Sequence, residues 1–103
     1  MISQSERKRF RAIAHKLKPV VTIAGNGVSP AVKKELERAL DDHELIKIRI
    51  NSGDREERKE LLATVITSTA AETIQSIGGV AVLFRPAAKP NPALSNILRA
   101  DVH

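Results

Sequence analysis

Two short β-type runs, separated by a stretch with helical periodicity, constrain this chain more than any other feature. Val20-Val21-Thr22-Ile23 is β-branched throughout and is bounded by Pro19 and a glycine-rich turn, so it reads as a short buried strand. Leu45-Ile46-Lys47-Ile48-Arg49-Ile50 alternates, placing Ile46, Ile48 and Ile50 on one face and Leu45, Lys47 and Arg49 on the other. Between them, Ser29-Pro30 supplies a capping residue and a proline at the first helical position, where the missing N–H costs nothing. Val32, Leu36, Ala39 and Leu40 then mark the inner stripe of a helix reaching about Asp42, with Lys34 and Arg38 on its outer side. Strand, helix and strand in that order predict a parallel crossover.

The rest of the chain completes one pattern. Ser3-x-x-Glu6 is a capping box, and Phe10, Ile13, Ala14 and Leu17 define the stripe of a first helix from about Gln4 to Leu17, ended by Pro19. At about 100° per residue, Arg7, Lys8, Arg11, His15 and Lys18 share one flank of that stripe. Asp54-x-x-Glu57 repeats the capping-box spacing ahead of a third helix with Leu61, Leu62, Val65 and Ile66 inward. Glu72 to Ile77 and Val80 to Arg85 read as a hairpin turned by Gly78-Gly79. The order α-β-α-β-α-β-β predicts an α/β, or α+β-like two-layer, domain with one mixed four-stranded sheet. Residues 1–86 form the expected domain; residues 87–103 form a tail, extended or partly docked, in which Leu94, Ile97 and Leu98 can make a helical turn.

Charge and missing residue types narrow the chemistry. Lys and Arg number 17 against 12 Asp and Glu, a net charge of +5 that suits a polyanionic partner. The absence of cysteine removes disulfides, thiolate nucleophiles and thiolate zinc sites. With no apolar run of membrane-spanning length and no apolar leader in MISQSERKRF, a soluble, cytoplasmic protein is expected. The loop Ala24-Gly25-Asn26-Gly27, followed by a helix start, is either a tight turn or a grip for an anion. A dinucleotide fingerprint fails at Pro30, and a phosphate-binding P-loop fails at Pro30 and Ala31. Phe10 and Phe84 are the only aromatic rings of the Phe, Tyr and Trp class, too few for a base-stacking platform, so RNA binding would rest on phosphates and shape. Asp41-Asp42-His43-Glu44 lacks the spacing of a hard-metal loop, His15 and His103 have no ligand-spaced partners, and no catalytic frame is present. Neither a metal, a cofactor nor an enzymatic activity is expected.

Pro19-Val20-Val21 with Gly25-Asn26-Gly27, His43-Glu44-Leu45-Ile46-Lys47, Asp54-Arg55-Glu56, Ile77-Gly78 and Leu83-Phe84-Arg85-Pro86 together resemble the CRM domain, in the form of the stand-alone bacterial YhbY-type proteins. The resemblance spans about Ser3 to Pro86. It implies an RNA-binding domain similar in topology to the C-terminal domain of translation initiation factor three, whose bacterial members associate with precursors of the large ribosomal subunit. Multi-domain plant relatives assist group II intron splicing. The family's Gly-x-x-Gly loop, held to contact RNA, falls on Ala24 to Gly27, with Ala24 in place of the first glycine. Gly79 stands where a basic residue is common after the hairpin's Ile-Gly. On this reading Ala24, Gly25, Asn26 and Gly27 approach RNA backbone, and Arg7, Lys8, Arg11, Lys18, Lys33, Lys47, Arg49 and Arg85 supply charge. The partner expected is ribosomal precursor RNA on the pre-large-subunit particle. A small enzyme or sensor holding an anionic metabolite at the same loop is the alternative, and a DNA-associated protein a third.

Overall fold

The computed structural model describes residues 2–25 and 27–100. In chain order it contains α1 (Gln4–Ala14), β1 (Pro19–Ile23), α2 (Pro30–His43), β2 (Leu45–Ile50), α3 (Arg55–Thr69), β3 (Glu72–Ile77), β4 (Val80–Phe84) and α4 (Asn96–Ala100). The first capping box forms as expected: the Glu6 amide donates to the Ser3 hydroxyl at 3.1 Å and the Ser3 amide to the Glu6 carboxylate at 3.2 Å. α1 stops three residues before its expected end. The Lys16 and Leu17 amides turn back to the carbonyls of Ile13 and Ala14, a tightening that closes the helix ahead of Pro19. At α3 the box is rearranged. The Asp54 carboxylate accepts the Glu56 amide at 3.0 Å, and the Asp54 amide donates to the Ser52 hydroxyl at 3.2 Å, the place Glu57 was expected to fill.

The strands form one mixed sheet in the order β1-β2-β4-β3, with β1 and β2 parallel and the other two pairs antiparallel. α2 makes the crossover. On one face Val21, Ile23, Ile46, Ile48, Ile50, Ala81 and Leu83 pack beneath Leu36, Leu40 and Val65 of α2 and α3. On the other, Leu45, Ile74 and Val82 are sealed by Phe10 and Ala14 of α1, and the Phe10 and Phe84 rings stand 4.7 Å apart. α1 and α4 therefore add a partial third layer to the expected architecture. That layer covers Leu45 but leaves Arg49, on the same strand face, exposed.

The C-terminal segment is docked as far as it is described, and Glu44 is what it docks to. Glu44 is 6% exposed, and its carboxylate accepts the Ser95 hydroxyl at 2.6 Å and the Ala87 amide at 2.8 Å. Asn96 Nδ2 donates to the Leu45 carbonyl at 2.7 Å, and Ile97 packs on the α1 side of the sheet. Glu44 makes these bonds from a backbone at φ 61°, ψ −47°, where α2 turns directly into β2.

Glu44→Ala keeps that backbone and leaves the Ser95 hydroxyl and Ala87 amide without their acceptor. It is expected to lower the unfolding free energy by about 2–4 kcal/mol in urea denaturation. Glu44→Gly loses the same carboxylate but adopts positive φ freely, so it should retain about 1 kcal/mol more. Equal losses would remove backbone strain from the account.

Candidate nucleic-acid interface

The glycine-rich loop leaves the sheet at the C-terminal end of β1, where the Asn51 amide donates to the Ile23 carbonyl at 2.7 Å. The Gly27 amide closes a turn onto the Ala24 carbonyl at 2.9 Å. Gly27 carries the positive φ, +76°, while neither Ala24 nor Gly25 does. Ala24 is thus unstrained by a left-handed backbone. Asn26 lies outside the described residues. Past the loop, Ser29 caps α2 by accepting the Val32 amide at 3.2 Å, and Lys33 is exposed in the first turn. The β3-β4 turn sits at the same end of the sheet: the Ile50 amide donates to the Gly79 carbonyl at 2.6 Å, and a Cβ on Gly79 would meet the Ile50 carbonyl oxygen at 2.9 Å. A basic side chain in place of Gly79 does not fit this approach of backbones.

Beside the loop lies the uncovered half of the sheet. Thr22 is paired with Arg49 and Pro19 with Lys47, so the cations of β2 run alongside the strand that leads into the loop. α1 ends over this half. Its Arg11 and His15, with Lys47 of β2 and Gln75 of β3, line a groove of about 190 Å³ floored by aliphatic side chains. No carboxylate lines it. Lys8 precedes Arg11 on the same exposed ridge and Lys18 follows the helix. Among the described residues, Lys8, Arg11, Lys18, Lys33, Lys47 and Arg49 make no ion pair. Arg11 and Lys47 at the groove and Arg49 farther along the same strand face give this half of the sheet a positive potential.

Two of the expected cations are also bonded within the fold. Arg7 turns to the edge strand, donating to the Thr73 carbonyl at 2.9 Å and pairing with Glu72 at 3.1 Å. Arg85, its side chain 19% exposed, bonds Glu37, pairs with Asp41 at 2.9 Å and donates to the Thr69 carbonyl at 2.9 Å. It ties α2, α3 and β4 together. Its partners are distant in sequence, so no local pattern announces them. The acidic run that invites a metal reading is likewise dispersed: Asp41 meets Arg85, Asp42 meets Arg38 at 3.9 Å, and His43 Nδ1 meets the Leu94 carbonyl at 2.9 Å. Conversely, Gln75, which did not stand out in the sequence, enters the groove beside His15 of the basic flank. His103 lies outside the described residues.

The CRS1 / YhbY (CRM) domain family model matches residues 2–85. A probable RNA-binding protein of Pseudomonas aeruginosa is 44% identical over 98 residues, 95% of this chain and 94% of its own length. An RNA-binding protein of Haemophilus influenzae is 38% identical over 85 residues, covering 82% of this chain and 86% of that one. The fold is similar to the solution structure of a hypothetical Staphylococcus aureus protein described as a candidate RNA binder. The TM-score is 0.74 at 26% identity, over 92% of this chain and 98% of that one.

The two classes of arginine separate in stability measurements. Arg85→Ala removes the ties to Glu37, Asp41 and the Thr69 carbonyl, and should cost about 1–2 kcal/mol in thermal or urea unfolding. Arg49→Ala should fall within about 0.5 kcal/mol of the parent. A larger loss for Arg49→Ala would contradict the division.

Proposed function

The chain belongs to the CRS1 / YhbY (CRM) domain family, and we propose that it is a non-enzymatic RNA-binding factor that acts in the cytoplasm, as a monomer, on precursor large-subunit ribosomal RNA during ribosome assembly. The observation that carries the RNA-binding part is the run of unpaired cations, Arg11, Lys47 and Arg49, beside the Ala24 to Gly27 loop, with no carboxylate lining the groove among them. Phosphates bind such a surface by releasing counterions, with little call for base contacts. Lys8, Lys18 and Lys33 extend the same charge, and the turn closed by Gly27 lets backbone approach backbone. The comparisons favour RNA, because relatives matched over most of their length are RNA-binding proteins by name. The ribosomal assignment follows from the family resemblance.

Crosslinking of RNA to the protein in cells, followed by sequencing, tests that assignment. Enrichment of large-subunit precursor RNA is expected, and reads spread evenly over transcripts would refute it. In vitro, engagement of about five phosphates on single-stranded RNA predicts a slope near −3 to −4 in log affinity against log salt. Arg49→Ala should reduce that slope by about one phosphate's share. Gly25 is the clean loop probe, because its φ is not positive and no atom lies within 4 Å of an added Cβ. Gly25→Asp should therefore weaken RNA binding by about tenfold with an unchanged melting temperature. Unchanged affinity would clear the loop of a role.

A further inference from the structure

We propose that the groove between α1 and the uncovered half of the sheet receives one splayed-out base of a single-stranded RNA segment, with His15 stacking on it and Gln75 reading its edge. The proposal rests on the RNA-binding reading and adds a base-contacting site to what is otherwise a backbone grip.

The composition of the groove separates it from a plain phosphate site. Arg11 and Lys47 stand beside a floor that includes Val80 and Ile77, together with a neutral amide and an imidazole. A phosphate gains nothing from an aliphatic floor, whereas the flat face of a base does. Ile77, at the rim of that floor, is 68% exposed. At about 190 Å³ the space suits one ring system rather than a larger metabolite.

Gln75 reaches the groove through an irregularity in β3. The register shifts between Thr73 and Gln75, so Ile74 is passed over and Gln75 pairs with Val82. Ile74 is buried with α1 while Gln75 lines the groove, so two successive residues serve the same side of the sheet. A β-bulge re-aims a side chain in this way. The Gln75 amide offers a donor and an acceptor together, the pairing capacity of a base edge. His15 caps the end of α1 and is exposed. The Phe10 and Phe84 rings pack against each other, and His43 bonds the Leu94 carbonyl, so among the described residues His15 is the ring placed to stack here.

The test is an NMR titration of the full chain with each of the four nucleoside monophosphates and, separately, with inorganic phosphate. The monophosphates are expected to shift the Val80 and Val82 methyl and Gln75 side-chain amide signals saturably, while phosphate leaves the methyls in place. In parallel, the His15→Ala/Gln75→Ala double variant should bind a single-stranded RNA of about eight nucleotides five- to tenfold more weakly, with the parental salt slope. Ile77→Ser, at an exposed position, should weaken it in the same sense and guards against a folding artefact. Methyl shifts produced equally by phosphate, parental affinity in the double variant, or a salt slope shallower by one phosphate would each overturn the proposal. If the monophosphates fill the groove while the oligonucleotide does not bind, the groove stands and the RNA-binding reading falls.

Discussion

The rest of the molecule is arranged around β2, a central strand whose two faces have different fates. Ile46, Ile48 and Ile50 are buried along the whole of one face under α2 and α3. The other face changes along its length: Leu45 is fully buried, Lys47 is half-buried and Arg49 is exposed. The cause is the length and placement of α1. Its Phe10 and Ala14 seal Leu45, and the helix closes with a tight turn before it can cover the far end of the strand. Because strand side chains alternate strictly, no shift of register can rescue a cation from this face without turning the isoleucines to water. Lys47 and Arg49 are thereby held at the boundary between a low-dielectric wall and solvent, where attraction for an anion is stronger than on an open surface.

Charge in this protein is divided by place. At the end of α2, carboxylates and Arg85 neutralise one another and join three elements of structure. Lys8 and Arg11 of α1 and Lys47 and Arg49 of β2 have no such partners among the described residues. The net charge of +5 is therefore made of cations of two kinds, those bonded within the fold and those, such as Lys47 and Arg49, left open beside the strand that leads into the loop. A net charge alone would have allowed either arrangement.

Glu44 plays a corresponding part for the fold. The chain passes from α2 to β2 with no connecting loop, and the positive φ at Glu44 is the geometric cost of that junction. Its buried carboxylate then gives the C-terminal segment polar groups to bind, and Ile97 follows them into the cluster beneath α1. The segment after Pro86, which has little periodicity of its own, acquires structure from contacts made 43 or more residues away.

Much of this was legible before any coordinates. The alternation from Leu45 to Ile50, the helix stripes, Ser3-x-x-Glu6 and Ser29-Pro30, and the Gly78-Gly79 hairpin are local signals, and each specifies its element because backbone propensity and side-chain period act over a few residues. The mixed four-stranded sheet follows from their order. The fates of individual polar side chains do not. Arg7 and Arg85 look like the other basic residues in sequence, yet their partners lie 65 and 48 residues away. The bulge that turns Gln75 into the groove is a feature of pairing between strands, and the exposure of His15 beside Lys47 depends on how a helix lies across a sheet. Sequence determined the elements and the sign of the charge; tertiary structure decided which cations remain free, because ion pairing depends on distances that only the packed chain defines.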